Sequence, residues 1–192
     1  RDRQWSSYED VEARYERRPS AWVRPLHHWG PGRVELVQLP TPDETHDNVV
    51  AYWVPQQLPA PGTPLEVSYE LAWQGDEQQR PPSAWATQSR KGVGYTQQSA
   101  EALRTQVQYV VDFTGPALHD LKADAPVKAV VTSDANGRVL ESGVYRNPAT
   151  GQWRMTLRVE RLRKDQPIEL RAFLQHLQHA VSETWTHVIL PE

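Results

Sequence analysis

The chain has 192 residues, with 16 prolines, eight tryptophans, no cysteine and a formal charge of −3. The missing cysteines exclude structural disulfides and thiolate metal sites, and no run approaches the roughly 18 consecutive apolar residues of a membrane-spanning helix. Mild acidity excludes the general basic footprint of a nucleic-acid binder, since the runs at Arg14, Arg17, Arg18 and at Arg90, Lys91 are too short to reverse it.

Mean hydropathy is −0.71, but 38% of residues are apolar and many are β-branched or aromatic, which is enough for a packed core. The charged opening RDRQWSSYED has no apolar stretch of the kind a secretory signal carries. Ser7 followed by Asp10 is a capping-box variant, and Tyr8, Val11 and Tyr15 share one helical face. They predict one short helix ending before Arg18-Pro19.

Two strands follow, over Val34 to Leu39 and Asn48 to Trp53, with apolar residues on both faces. Between them TPDETHD places Asp43, Glu44, His46 and Asp47 on one loop. Asp, Asn and Thr favour turns through local hydrogen bonds, so this is either a polar turn feeding a strand or a proton-handling site. A helical turn and two strands cannot bury two apolar faces unaided. Residues 1–55 are therefore expected to be the end of a larger domain, the rest of which lies outside this chain.

PQQLPAPGTP, from Pro55 to Pro64, holds four prolines, which lack the backbone donor a helix interior or a central strand needs. Residues 56–64 read as a linker and 65–192 as a second domain. Strict alternation begins there. Val67, Tyr69, Leu71 and Trp73 make one predicted inner face, Val107, Tyr109, Val111 and Phe113 a second, Val127, Ala129 and Val131 a third. Trp153, Met155, Leu157 and Val159, then Ile168, Leu170, Ala172 and Leu174, complete the set. Asp134-Ala135-Asn136-Gly137 predicts a tight hairpin through its Asn-Gly pair, and Asn147 to Gly151 predicts another turn. The fold class is all-β, with this domain an immunoglobulin-like antiparallel sandwich. Trp73, Trp153 and Trp185 are assigned to its core, whereas Trp22 and Trp29, among Pro25, Gly30 and Gly32, are expected at the surface.

Adjacent His27 and His28 point opposite ways on an extended chain, and with His46 they show no established ligand spacing, so no metal is assigned. There is no G-x-S-x-G nucleophile elbow, and no cofactor is assigned.

The blocks YERRPSAWV (Tyr15 to Val23), WGPGRVELVQLPT (Trp29 to Thr41), ETHDNVVAYWVP (Glu44 to Pro55), VVDFTG (Val110 to Gly115) and SETW (Ser182 to Trp185) carry a resemblance. In order along the whole chain, they resemble the periplasmic glucan biosynthesis proteins G and D, which act on osmoregulated β-1,2-glucans. The resemblance implies export to the periplasm. It also implies a large N-terminal β-sandwich of the carbohydrate-active kind, whose last strands this chain supplies ahead of the immunoglobulin-like domain.

Members are similar to inverting β-1,2-glucanases, some of which transfer glycosyl groups. The resemblance makes Asp47, in His46-Asp47-Asn48, the general acid, with Glu44 beside it and Tyr15 in a relay toward a base lying upstream. Arg17 and Arg18 would donate to sugar hydroxyls, with His46 beside them, and Trp22 and Trp29, with Trp53, would offer flat faces to ring hydrogens. The implied partners are β-1,2-glucan and the remaining N-terminal part of the same protein. Two rival readings are a non-catalytic glucan-binding module serving a membrane glucan synthase, and a protein-interaction role for the immunoglobulin-like part.

Overall fold

Alternating sequence becomes strand throughout a computed structural model that describes residues 11–14, 17–39, 41–43, 45–75, 80–93 and 99–191. Two compact units emerge: residues 17–78 form one, and residues 79–192 the body of the other. The predicted N-terminal helix falls largely on 1–10, 15 and 16, outside the described residues; Val11 to Ala13 form a turn.

In the first unit, β1 (Ser20–Pro25) pairs antiparallel with β4 (Tyr69–Gln74), setting Trp22 opposite Ala72. Next, β2 (Gly32–Gln38) pairs with β3 (Val49–Pro55), Val34 lying opposite Trp53 and Glu35 opposite Tyr52. Strands β2 and β3 are the two strands predicted on either side of the acidic loop. Strand β4 corrects an expectation. Its Tyr69, Leu71 and Trp73 are expected in the downstream core, yet among the described strands β4 pairs only with β1 and Trp73 is 68% exposed. The alternation is present, but no described strand layer of this unit covers the face it defines. None of the unit's described residues is buried.

The second unit is a sandwich. One sheet runs β5 (Trp85–Gly92), β6 (Gln106–Thr114), β9 (Trp153–Arg161), β8 (Gly137–Arg146). In the other, β10 (Ile168–His176) pairs with β7 (Val127–Ser133) and with β12 (Trp185–Ile189), and β11 (His179–Ala180) adds a short hairpin return. Both sheets are antiparallel, which gives the immunoglobulin-like sandwich the sequence predicts. The inner faces meet in one core of Tyr109, Val111 and Phe113 with Trp153, Met155, Leu157, Val159, Ile168, Leu170, Leu174 and Trp185. Each fully buried Val or Leu there contributes roughly 1.5–3 kcal/mol over an exposed one.

Two short helices, α1 (Ala100–Thr105) and α2 (Pro116–His119), flank β6. Ser99 caps α1 by accepting the Ala102 amide. The resemblance block SETW proves to be framework. Ser182 Oγ accepts the Leu174 amide, Glu183 accepts the Ala86 amide, and Trp185 donates to Ser89 Oγ within the core.

The turn at 134–137 corrects a second expectation. Strands β7 and β8 lie in different sheets, so the turn is a corner between layers and not a hairpin. Gly137 is needed for space: a Cβ there would stand 2.4 Å from Cγ2 of the fully buried Ile168. Asn147 to Gly151 does close the β8–β9 hairpin, with Gly151 at φ +73°.

On the outer face of the first sheet, Asp112 of β6 is 2% exposed between two guanidiniums. Arg154 of β9 binds it through two nitrogens at 2.7 and 2.9 Å, and Arg90 of β5 adds a bond of 2.9 Å. Burial pushes its pKa up, but the bonds from Arg154 and Arg90 outweigh burial and hold it below the ordinary aspartate value. One carboxylate thereby ties three adjacent strands in register.

Two stability predictions follow from these contacts. Gly137→Ala should cost about 1–3 kcal/mol in denaturant melts by forcing Ile168 out of place, whereas Gly143→Ala, whose nearest foreign atom would be 3.4 Å away, should cost less. Asp112→Asn should destabilise by on the order of 3 kcal/mol at pH 7, because it leaves two guanidiniums without their anion. Since the folded pKa of Asp112 is depressed, its contribution is complete above the unfolded value of about 3.9 and is lost as pH falls through the folded value. Melts of wild type and Asp112→Asn should therefore converge as pH falls below about 4.

Candidate functional site

The acidic loop is held by its own side chains. Asp43 Oδ1 accepts the Thr45 amide at 2.9 Å and the Thr45 hydroxyl at 2.5 Å, an Asx turn reinforced by a second donor. Those bonds, the hydroxyl's first and then the amide's, lower the Asp43 pKa below its ordinary value. Thr41 Oγ1 donates to the Asp43 carbonyl, Asn48 Nδ2 reaches Thr41 Oγ1, and the Leu39 amide donates to the Asn48 carbonyl where β2 and β3 meet. His46 joins the same turn, with Nδ1 3.2 Å from Thr45 Oγ1 and 3.4 Å from Asp43 Oδ1. Asp43 is thus a structural acceptor, as its turn chemistry suggests.

Asp47 lies between His46 and Asn48 of this knot, two residues before β3. It is exposed, and among the described residues no hydrogen bond or ion pair engages its carboxyl. Glu44 and Tyr15 lie outside the described residues.

An aromatic cluster sits in the same unit. Trp29 packs edge-on against Trp53 at 5.8 Å and against Tyr69 at 6.1 Å between ring centroids, and its Nε1 donates to the Ser68 carbonyl at 3.1 Å. Trp53 folds back across its partner strand, where only a glycine fits: a Cβ on Gly32 would meet the Trp53 ring at 2.3 Å. The block WGPGR is therefore explained at Gly32 by the ring beside it. His28 is oriented locally by accepting the Gly30 amide at 2.9 Å. Trp22 is half-buried on β1, and Arg17 and Arg18 are exposed just ahead of that strand. The structure thus joins His46 to Asp43 and Thr45, and Trp29 to Trp53 and Tyr69, as two local groups.

The sequence reading missed a second polar group on the β2–β3 ribbon. Tyr52 donates to Glu35 Oε2 at 3.0 Å across the strand pair, and Arg33 Nε donates to Glu35 Oε1 at 2.6 Å. The bond from Arg33 and then that from Tyr52 lower the Glu35 pKa, while Glu35 raises that of Tyr52. Arg33 and Glu35 share a strand face at a spacing of two, which sequence shows; that Tyr52 stands opposite requires the register. Among the described residues no cluster of three or more histidines and carboxylates could hold a metal ion, and no helix is long and apolar enough to cross a membrane.

Comparison with known proteins extends from the blocks to the whole chain. Residues 1–189 match the family described as "Periplasmic glucan biosynthesis protein, MdoG". "Glucans biosynthesis protein G" of Ralstonia nicotianae is 48% identical over 100% of this chain and 38% of its own length. The proteins of that name from Pseudomonas paraeruginosa and Pectobacterium atrosepticum are 45% and 44% identical, each over 97% of this chain and 37% of their own. The chain thus spans under two fifths of the length of these relatives. Its continuous match, at this identity, makes the chain a member of the periplasmic glucan biosynthesis protein family, with the periplasmic location that membership carries.

Proposed function

We propose that this chain contributes the acid-bearing half of a β-1,2-glucan-cleaving or glucan-transferring cleft, with Asp47 as general acid. The observation that carries the reading is the division of labour in the loop. Asp43 is committed to holding the turn, which leaves Asp47 as a positioned carboxyl that no described residue engages. A donor to a leaving sugar must be held in place and yet free to give up its proton.

In this mechanism the Asp47 carboxyl delivers its proton to the bridging oxygen as the bond from that oxygen to the anomeric carbon breaks. Water, or a sugar hydroxyl in transfer, adds to that carbon from the opposite face and loses its proton to a base. The base is assigned to the upstream part of the full-length protein, reached through the Tyr15 hydroxyl. For the acid to be protonated near neutral pH it has to be partly desolvated. Asp47 is exposed here, so the opposing wall is assigned to upstream chain as well, and the bare apolar faces of β1 to β4 support that assignment. Trp22 and Trp53 suit sugar rings, whereas Trp29, with its N–H committed to Ser68, can offer only its face. Arg17, Arg18 and His46 are assigned to hydroxyl recognition.

The test is Asp47→Asn in the full-length protein, with reducing ends released from linear β-1,2-glucan as readout. Turnover should fall about a hundredfold or more. Asp43→Asn, which keeps an acceptor oxygen for Thr45, should stay within a few fold of wild type. Wild-type turnover in Asp47→Asn would remove the acid assignment. Glucan bound by the wild type but unchanged in length after long incubation would favour the non-catalytic module instead.

A further inference from the structure

A cleft of about 370 Å³ opens at one end of the sandwich, where β5, α1, β6, β9, β10 and β12 converge. Its apolar lining includes Val107, Ile168 and Ile189, and its cations are Lys91, Arg104 and Arg161. No carboxylate is among the described residues that line it.

The contrast with the rest of the sandwich gives this weight. On the sheets, Arg90 and Arg154 hold Asp112, Arg138 pairs with Glu160, Arg158 with Glu141 and Arg171 with Glu169. The three cations of the cleft have no carboxylate partner among the described residues. Arg161 is also fixed in place: its two terminal nitrogens donate to the carbonyls of Gln166 and Leu190, at 3.1 and 2.7 Å. A planted guanidinium with its charge uncompensated is a preorganised anion contact. Burial, and after it the Lys91 charge, lower the pKa of His187. In a chain of net charge −3, three cations on one cleft with no carboxylate partner among the described residues run against the overall balance.

We propose that this cleft binds a small amphiphilic anion: one phosphate, sulfate or carboxylate group held by Lys91, Arg104 and Arg161, with an apolar portion against Val107, Ile168 and Ile189. Its volume suits a small ligand. The site lies wholly within the unit of residues 79–192 and is independent of the Asp47 reading. A soluble metabolite and a lipid headgroup would present the same chemistry.

The test titrates n-octyl phosphate into the 192-residue chain and follows the backbone amides of Gly92, Thr105 and Val107 by ¹H–¹⁵N spectra. Those amides should shift saturably. Octyl glucoside, with the same tail and no charge, should bind about tenfold more weakly, and Lys91→Gln/Arg104→Gln should weaken octyl phosphate by about the same factor. Both substituted residues are exposed, and an unchanged melting temperature would show the fold intact; Arg161 is left in place because it supports two loop carbonyls. Equal binding of the two octyl compounds, or binding unchanged by the double substitution, would overturn the proposal. Sedimentation with phosphatidylglycerol and phosphatidylcholine vesicles separates the sources. Anionic vesicles bound by the wild type but not by the double variant identify a lipid, and octyl phosphate binding without vesicle binding identifies a soluble ligand.

Discussion

A β-strand stays dry only on a face that a second layer covers, and that constraint divides this chain. Tyr69, Leu71 and Trp73 of β4 and Tyr109, Val111 and Phe113 of β6 alternate with the same period of two. The first three are exposed and the second three are buried, because β6 faces β10 and its neighbours while β4 is half of a two-stranded ribbon. Local pattern decides which side chains share a face. The opposing layer decides whether that face leaves water, and with it the few kcal/mol per large side chain on which stability rests.

The same distinction sets how much of the structure could be read from residues alone. The alternating runs of β6, β7, β9 and β10 were legible because each meets a partner sheet. Strands β2 and β3 were legible because turn-forming residues bracket them. Strand β1 was not foreseen: SAWVRP is short, ends in proline and offers too few alternations to stand out. Strand β5 runs into Gln88, Ser89, Arg90 and Lys91, a polar sequence that becomes a strand by pairing with β6. Trp73 is not a core residue because no second layer among the described residues covers it. Gly137 failed as a hairpin glycine because the need it serves is distance to Ile168, which no local motif encodes.

For the acidic loop, the resemblance singles out Asp47, but residue types alone do not show which acid holds the turn. Asp43, Glu44 and Asp47 are alike as residue types, and the Asx geometry that commits Asp43 appears only once Thr45 and Asn48 have positions. Glu35 shows the complementary limit. Its partner Tyr52 is 17 residues away and meets it through the β2–β3 register. A chemical pairing made by register is visible only after the hairpin is aligned.

Charge follows a consistent rule across the chain. Acids and bases pair on the strands, some along one strand as Arg171 with Glu169 and some across two as Arg138 with Glu160, and Asp112 with its two arginines is the instance in which both bonds and burial converge on one carboxylate. A charge left outside such pairing on a folded surface costs little in water, so exposure alone assigns it no role. What separates Asp47 from ordinary surface charge is that its neighbours fix the loop without using its carboxyl. What separates Arg161 is that two carbonyls fix its guanidinium without neutralising it. In both cases the described residues fix the surroundings of a charge without pairing it, which is the condition that recognition of an outside group sets.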